Sequence, residues 1–434
     1  MNFETFGFYP QIAAGITAAG YHHPTPIQTK AIPQIMKGLD LIGLAQTGTG
    51  KTAAFVLPIL HRLLKDKPRH LRALIVAPTR ELAEQINQSC EMLGIQTGLR
   101  SAVIYGGVGI HPQIQALKKG DIVVACPGRL LDHIGRKTID LSNIDILVLD
   151  EADQMFDMGF LPDIRKILSY LKKSNRQTLL FSATMPVQIR SLADDILMKN
   201  KVKIEENDNA PADTVSHTFY PVARHLKTAL VVELLKTTPI KSVLIFTRTK
   251  HWARRLGGKL TQAGYRATSL QGNLSQSRRR DAMDGFKSGK YQVLVATDIA
   301  ARGIDVSDVS HVINFDMPST SETYIHRIGR TGRIKQTGEA YTLITSEDTQ
   351  MVKAIERTIG TSVDQCTIAD FNYHSPKAAD IRSTNSRQRK PKKNRNKTTN
   401  RQSGKKGVKG AFSWFLHTKT ETSNNTDGPM RRRP

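Results

Sequence analysis

Short apolar runs alternate with helix-compatible stretches along the first 205 residues. Each run has the length of a strand that is buried on both faces of a sheet. The runs are Leu39–Leu44, Ala73–Ala77, Ala102–Tyr105, Ile122–Ala125, Ile144–Leu149 and Thr178–Phe181. The stretches between them, such as Ala53–Leu64, Glu81–Leu93 and Asp163–Leu171, suit helices. This alternation predicts an α/β domain with a mostly parallel sheet covered by helices on both faces.

A second alternating pattern follows a polar stretch at residues 206–214, whose composition is typical of a linker. Its apolar runs are Val243–Phe246, Ala267–Leu270, Val293–Ala296, His311–Phe315 and Ala340–Ile344. We therefore predict two doubly wound parallel-sheet domains in tandem, over residues 1–205 and 215–370.

Positive charge is concentrated at the C-terminal end of the chain. The net charge of the 434 residues is +25, and residues 375–434 contribute +14 of it, with 17 Lys/Arg against 3 Asp/Glu. Apolar density falls in the same region, so residues 371–434 are predicted to be a disordered tail. A basic body with a more basic tail indicates a polyanionic partner. Nucleic acid is favoured over an anionic membrane because no long amphipathic pattern accompanies the charge.

Three aromatic residues interrupt the tail, namely Phe412, Trp414 and Phe415. Stacking on bases, docking on a partner and local collapse are equally compatible with them.

Several absences in the sequence bear on location. No run of about 18 apolar residues exists, so no membrane span is predicted. The N-terminal stretch lacks the basic-then-apolar pattern of a signal peptide. Cys90, Cys126 and Cys366 are scattered without metal-ligand spacing, which fits a reducing compartment. We expect a cytoplasmic protein.

A Gly/Thr-rich segment, Ala45–Thr52, joins a predicted strand to a predicted helix, which is the context of a phosphate-binding loop. Its glycines let consecutive N–H groups face one centre beside the helix N-terminus. Lys51 can reach the β- and γ-phosphates, and the hydroxyl of Thr52 can ligate Mg²⁺. The usual pattern begins with glycine where this chain has Ala45, so the prediction rests on context. The residues expected around the phosphates are Gly48, Thr49, Gly50, Lys51 and Thr52.

An acidic segment, Asp150–Asp153, lies at the carboxyl end of a predicted strand. Open parallel sheets bind ligands outside the carboxyl ends of their strands. Asp150 is placed to hold Mg²⁺, directly or through water, and Glu151 to orient or deprotonate an attacking water. An ordinary helix start is the alternative for this segment alone. Beside the phosphate loop, we interpret it as part of a nucleoside triphosphatase.

With the segments described next, Asp150–Asp153 makes the chain resemble the DEAD-box family of ATP-dependent RNA helicases. The resemblance covers nearly all of residues 1–370 and rests on about ten motifs in order. It implies two RecA-like domains, an RNA-dependent ATPase, ATP and Mg²⁺ as cofactors, and a monomer. The short N-terminus and simple basic tail resemble the bacterial RhlE-type group most.

The N-terminal region resembles the family's adenine-reading motif at Phe3 and at Gly20–Gln28. The amide of Gln28 can donate to one adenine nitrogen and accept from the exocyclic amine, which selects ATP over GTP. Tyr21 offers a ring face for stacking on the base.

The resemblance assigns RNA contacts to loops that follow predicted strands. They are Pro78, Thr79, Arg80, Gly106, Gly107, Gly128 and Arg129 in the first domain, and Arg248, Gln271, Gly272, Thr297 and Asp298 in the second. Hydroxyls, backbone N–H groups and arginines are suitable phosphate ligands. The family usually has threonine where this chain has Cys126, which leaves Arg129 as the main expected ligand there.

Other matching segments are assigned to coupling and to catalysis. Ser182 and Thr184 resemble the motif that couples hydrolysis to duplex separation, with helix capping as the alternative. Gly303 and Asp305 approach the nucleotide. Arg330 and Arg333 resemble arginine fingers that reach across the cleft to the γ-phosphate. A solvated basic face is the alternative for them, and arginines separated by glycine fit it poorly.

The predicted function is hydrolysis of ATP to ADP and phosphate, driving local unwinding of short RNA duplexes or remodelling of RNA–protein complexes. Backbone-only contacts imply little sequence preference, and the 2′-OH distinguishes RNA from DNA. An ATP-gated RNA clamp or assembly scaffold, without multiple-turnover unwinding, is the alternative. A DNA translocase is a further one, opposed by the Gln28 segment. Ribosomal precursors and RNA-decay proteins are candidate partners.

Overall fold

The fold is seen in a computed structural model. The structure describes residues 2–46, 48–65, 70–172, 176–206, 215–301, 309–332 and 338–376. Some predictions lie outside the described residues: the sites Gly303, Asp305 and Arg333, most of the linker, and the tail aromatics Phe412, Trp414 and Phe415.

The first half of the described chain contains a sheet in which every strand pair is parallel. Its strands are β1 (Leu41–Leu44), β2 (Ala73–Val76), β3 (Ser101–Ile104), β4 (Ile122–Ala125), β5 (Ile146–Leu149), β6 (Gln177–Ser182) and β7 (Val202–Glu205). Their order across the sheet is β3-β4-β2-β5-β6-β1-β7.

Helices cover both faces of this sheet. They are α1 (Pro10–Ala18), α2 (Pro26–Met36), α3 (Lys51–Lys65), α4 (Arg80–Leu93), α5 (Ile110–Leu117), α6 (Pro127–Gly135), α7 (Ala152–Asp157), α8 (Leu161–Ser169) and α9 (Val187–Ile196). Successive strand residues point to opposite faces. On β5, Ile146 and Val148 therefore join the core under α1–α4, while Leu147 and Leu149 join the core under α6–α9.

The second half repeats this architecture with another parallel sheet. Its strands are β8 (Val215–Pro221), β9 (Val243–Phe246), β10 (Ala267–Leu270), β11 (Val293–Ala296), β12 (His311–Asn314) and β13 (Gly338–Ile344), in the order β10-β11-β9-β12-β13-β8. Its helices are α10 (Lys227–Thr237), α11 (Lys250–Gln262), α12 (Gln276–Lys287), α13 (Asp298–Ala301), α14 (Ser321–Ile328) and α15 (Thr349–Ile359). Both halves belong to one compact unit that extends from Met1 to Ser375.

The predicted fold class is confirmed, and the omissions fall at the sheet edges. The sequence pattern missed β7 and β8, which are the outermost strands at one end of each sheet. An edge strand is covered on fewer sides, so its residues need not be uniformly apolar. In β7, three of the four residues are at least partly exposed. An apolar-run search detects the buried central strands and misses such segments.

The packed body also extends past residue 370, where the tail was predicted to begin. The rings of Phe371 and Tyr373 meet edge to face with centroids 4.8 Å apart, against the core of the second half. The imidazole Nε2 of His225 lies 2.7 Å from the carbonyl oxygen of Ser375. Among the described helices, none is long and apolar enough to cross a membrane.

Candidate functional site

The strand order of the first sheet separates the predicted site residues into two neighbouring groups. Strands β5, β6 and β1 are adjacent and lead into the segments that begin at Asp150, Ser182 and Ala45. Strands β3, β4 and β2 are also adjacent and lead into the segments that contain Gly106, Gly128 and Thr79, of which Gly128 lies in the first turn of α6. Because parallel strands end at a common edge, distant motifs meet there. One half of the edge holds the candidate phosphate site, and the other holds the predicted RNA loops.

The phosphate loop depends on two glycines with left-handed backbone conformations. Gly48 has φ 92° and Gly50 has φ 90°, a region that side chains disfavour. A Cβ on Gly50 would lie only 2.5 Å from Nε2 of Gln28. Lys51, at the start of α3, is buried, and its Nζ donates to the carbonyl oxygen of Ala45 at 2.8 Å. The loop therefore curls around its own lysine.

Gln28 ties α2 to this loop. Its Oε1 accepts from the backbone N–H of Thr25 at 3.0 Å, and its Nε2 donates to the carbonyl oxygen of Gly50 at 3.0 Å. The contact of Gln28 with adenine stays a prediction, and the amide would make it in addition to these two hydrogen bonds. Nearby, the rings of Phe3 and Tyr21 stack with centroids 6.2 Å apart, so Phe3 supports the ring that was predicted to meet the base.

Asp150 and Glu151 are both almost completely buried. Glu151 has φ 53°, a left-handed conformation that is strained for a non-glycine residue. Burial raises the pKa of Asp150, with the positive charge of Lys51 opposing the rise. Burial and the neighbouring Asp150 carboxylate raise the pKa of Glu151 to about 7, against the charges of Lys51 and Arg330. A bound cation would offset the repulsion between these two buried neighbouring carboxylates.

The oxygen donors here fit Mg²⁺. Mg²⁺ prefers hard oxygen ligands and usually takes one or two carboxylates together with phosphate oxygens and water. Asp150 and the hydroxyl of Thr52 supply such donors. Within the described residues, no group of three His, Cys, Asp or Glu side chains could hold a metal by itself.

Asp153 connects the acidic segment to the predicted coupling segment after β6. Its Oδ2 accepts from the backbone N–H groups of Ala183 and Thr184, at 3.1 and 2.9 Å, and from the Thr184 hydroxyl at 3.2 Å. Its own N–H donates to Oγ of Ser182 at 3.2 Å. This role of Asp153 was not predicted from the sequence. The adjacency of β5 and β6, which places the two segments side by side, is what reveals it.

A cavity of about 100 Å³ lies where the two halves meet. The first half lines it with Gln46, Lys51, Glu151, Asp153, Gln154, Ala183 and Thr184, and the second half with Ile325, His326, Gly329 and Arg330. Arg330 is buried and close enough to Glu151 to lower its pKa. The predicted arginine finger, Arg330, and the predicted catalytic base, Glu151, thus line one cavity.

A groove of about 680 Å³ also crosses both halves. The predicted RNA-contact residues that line it are Pro78, Thr79, Arg80, Gly106, Gly128, Arg129, Arg248, Gly272 and Thr297. Gly107 packs so closely against the Arg80 side chain that a Cβ added to this glycine would overlap Nη1 of the arginine. Three of the predicted RNA-contact arginines therefore line one groove, together with Arg279 and the glycines Gly106, Gly128 and Gly272.

Two of the side chains predicted to contact RNA, those of Gln271 and Asp298, make hydrogen bonds within the second half. Oε1 of the buried Gln271 accepts from the backbone N–H of Asn273 at 2.7 Å. The carboxylate of Asp298 accepts two bonds from Arg327, at 2.6 and 2.8 Å. Arg327 also donates to Oδ1 of Asn314 at 3.0 Å. Arg327 therefore links α14 to the start of α13 and to the end of β12, a role that was not predicted from the sequence.

An ion pair connects α4 of the first half with α12 of the second. Nε of Arg279 lies 2.8 Å from Oε1 of Glu81, and both side chains are only 11% exposed. Gln276 contacts both Arg80 and Glu81 from the same helix. Sequence reasoning had no means to pair these residues, which are almost 200 positions apart.

Comparison with known proteins gives matches over both halves. Residues 25–192 match the model described as DEAD/DEAH box helicase, and residues 226–335 match the helicase conserved C-terminal domain. The chain is 42% identical to the DEAD-box ATP-dependent RNA helicase CshA of Bacillus subtilis over 84% of this chain and 74% of that protein. It is 43% identical to the ATP-dependent rRNA helicase RRP3 of Coccidioides immitis over 84% and 77%.

A solved structure also resembles the chain. The Saccharomyces cerevisiae protein Dbp5 bound to RNA and ADP BeF3 is 31% identical, with a TM-score of 0.74 over 84% of this chain and 95% of that one. A single-residue variant of the same yeast protein, also bound to RNA and ADP BeF3, is 30% identical, with a TM-score of 0.75 over 89% and 99%.

Proposed function

The chain belongs to the DEAD-box family of ATP-dependent RNA helicases, and from that membership we propose how its residues divide the work of an RNA-dependent ATPase. One observation supports the division most. Glu151 of the first half and Arg330 of the second line the same small cavity, and both halves also line a groove. Approach of the halves on RNA therefore completes the site of ATP hydrolysis.

We assign ATP binding to the first half. Gln28 and Tyr21, the latter supported by Phe3, hold the adenine. Gly48, Thr49 and Gly50 offer backbone N–H groups to the phosphates, and Lys51 exchanges its bond to Ala45 for a phosphate oxygen. Thr52 and Asp150 hold Mg²⁺, which neutralises phosphate charge when bound. Glu151 orients the attacking water and accepts its proton.

The second half supplies positive charge near the γ-phosphate. Arg330 approaches the γ-phosphate across the cavity and stabilises negative charge in the transition state. Arg333, Gly303 and Asp305 are assigned to the same side of the nucleotide from their sequence motifs. Because these residues belong to the second half, hydrolysis depends on closure.

RNA occupies the groove through its backbone. Arg129 and Arg248 pair with phosphates, and the loops at Gly106, Gly128 and Gly272 let the strand approach the main chain closely. Contacts of this kind carry little sequence information. The 2′-OH is the feature by which RNA is distinguished from DNA.

Ser182, Thr184 and Asp153 transmit the state of the nucleotide to the RNA. The bonds of Asp153 join the acidic segment to residues 182–184, so a shift around the γ-phosphate moves both. We infer that closure admits only a bent single strand and thereby separates a few base pairs locally.

We propose that the protein acts as a monomer in the cytoplasm on structured RNA. The three cysteines, Cys90, Cys126 and Cys366, are all free, as in a reducing compartment. Ribosomal precursors are candidate targets, since one relative is named an rRNA helicase. Participation in RNA decay and grouping with the RhlE-type proteins stay predictions from the sequence.

Paired assays test this function. ATP hydrolysis is measured without nucleic acid, with structured RNA and with matched DNA, and strand release from a short RNA duplex is followed over many turnovers. We expect stimulation by RNA alone, together with repeated strand release. Stimulation without strand release would favour an RNA clamp, and equal stimulation by DNA would contradict the assignment of RNA as the substrate.

The basic tail is expected to add electrostatic affinity for RNA. Removing residues 377–434 keeps both His225 and Ser375 while deleting all 17 Lys and Arg residues of the tail. Since each phosphate contact releases counterions, the slope of log affinity against log salt becomes less negative. Filter binding at several salt concentrations measures this slope, and an unchanged slope would contradict the role of the tail.

A further inference from the structure

A second contact between the two halves lies beside the Glu81–Arg279 pair and involves residues outside the motifs of the sequence analysis. Nη2 of Arg280, on α12, lies 2.5 Å from Oε1 of Glu84, on α4. The hydroxyl of Tyr105 donates to the same carboxylate oxygen. Tyr105 belongs to the first half, so one oxygen of Glu84 is held from both sides of the interface.

Tyr105 makes Glu84 a better partner for an arginine than an ordinary surface carboxylate. The ring of Tyr105 is buried, while Glu84 is 18% exposed and Arg280 is 58% exposed. Burial, together with the adjacent Glu84 carboxylate, raises the pKa of Tyr105, so its hydroxyl remains a donor. The hydroxyl fixes the carboxylate before Arg280 arrives, which reduces the conformational entropy lost when the pair forms.

The position of Tyr105 connects this contact to the RNA groove. Tyr105 immediately precedes Gly106, which lines the groove. A cleft of about 350 Å³ between α4 and α12 contains Glu84 and Arg280, and it shares Glu81 and Arg279 with the groove. A strand of RNA bound at Gly106 would therefore contact the residue next to Tyr105, whose hydroxyl holds Glu84.

We propose that Glu84, Tyr105 and Arg280 form an interdomain clasp, which positions the two halves for closure on RNA. This inference rests on the proposed function, because the clasp favours the closed arrangement in which Arg330 faces Glu151. The clasp residues do not contact the phosphates themselves. They act through the closure equilibrium, and so they set how much RNA is needed to reach full activity.

Whether one mutation strengthens or weakens RNA binding distinguishes a clasp from a simple effect of charge on RNA. Replacing Glu84 with glutamine removes a negative charge near the groove, which would strengthen RNA binding if only electrostatic attraction mattered. If Glu84 holds the closed state through Arg280, the same replacement weakens binding. The clasp therefore predicts an effect opposite to that of simple charge removal.

The experiment is a double-mutant cycle with Glu84→Gln, Arg280→Gln and the double variant in the full-length protein. The KM for RNA in the ATPase assay and the affinity for a single-stranded RNA in the presence of ADP–BeF3 are measured. A partly exposed pair of this kind is expected to give about a threefold rise in KM for each single variant. The double variant should show the same rise of about threefold, whereas independent sites would multiply to about ninefold.

Two further variants refine the test. Tyr105→Phe removes only the hydroxyl and should raise the KM by about twofold through the loss of one hydrogen bond. Arg278→Gln changes the same charge on an exposed position of α12 and serves as the matched control. Thermal unfolding of every variant accompanies the kinetics. The kcat at saturating RNA should stay within about twofold of wild type, since the clasp changes closure alone.

The clasp is refuted if the effects of Glu84→Gln and Arg280→Gln multiply, if Glu84→Gln lowers the KM, or if neither variant changes it. These outcomes differ from failure of the proposed function, in which the wild-type protein itself shows no stimulation of ATP hydrolysis by RNA.

Discussion

Replacing Glu151 with glutamine is expected to lower RNA-stimulated ATP hydrolysis by about 10³-fold, within the range found when a general base is removed. Glutamine keeps the size of the side chain and cannot accept the proton of the attacking water. The buried position and strained backbone of Glu151 hold the side chain in the cavity that Arg330 also lines. A glutamine at position 151 would therefore occupy the same place in the cavity without acting as a base.

The Glu151→Gln protein should still bind both ATP and RNA. The proposed phosphate ligand Lys51 and the proposed Mg²⁺ ligand Thr52 are untouched, and the groove lies outside the cavity. Removing a buried negative charge also reduces repulsion with phosphate. We therefore expect the Glu151→Gln protein to bind ATP and RNA at least as tightly as wild type, and to release RNA more slowly because hydrolysis no longer ends the closed state.

Single-turnover hydrolysis and RNA dissociation measure these two effects separately. Glu347→Gln, at an exposed site in the second half, is a suitable control for the chemical change. Residual hydrolysis above about a tenth of wild type would show that another group activates the water, since a tenfold loss is well below the effect of a missing base.

How far the sequence predicts this molecule depends on how local each feature is. The central strands and the phosphate loop follow from contiguous residues, because burial and backbone conformation leave direct marks on local composition. The convergence of Thr79, Arg129 and Asp150 on one edge was also predictable, since parallel strands share their carboxyl ends. Edge strands such as Val202–Glu205 were missed because partial exposure weakens the apolar signal.

Contacts between segments that are distant along the chain could not be predicted from the sequence. Asp153 has no distinguishing mark among acidic residues until β5 and β6 are known to be neighbours. The pairing of Glu81 with Arg279 requires the relative orientation of α4 and α12, which no local pattern encodes. For Asp298, the motif resemblance predicts an RNA contact, and the bonds of its carboxylate to Arg327 could not be predicted from the sequence.

Replacing Arg330 with alanine tests whether the second half completes the catalytic site. Its burial beside Glu151 indicates a specific place in the cleft, where its charge acts at low local dielectric. Removal of an arginine finger typically costs about 10³-fold or more in kcat. We expect kcat for RNA-stimulated hydrolysis to fall by about this factor, while the affinity of the first half for ATP changes by less than about threefold.

The replacement Arg330→Lys separates charge from geometry. Lysine keeps the positive charge but lacks the planar fork that binds two oxygens at once. An intermediate loss would indicate that both contribute, and a loss equal to that of alanine would indicate that the fork is decisive. Arg278→Ala, on the exposed face of α12, controls for removal of an arginine.

Full RNA-stimulated activity in the Arg330→Ala protein would contradict the proposal that this arginine completes the site. Hydrolysis would then need only the first half together with Arg333. The same assay on Arg333→Ala decides between these cases, because a single sufficient finger leaves the other variant active, whereas two joint fingers make each replacement nearly as damaging as the pair.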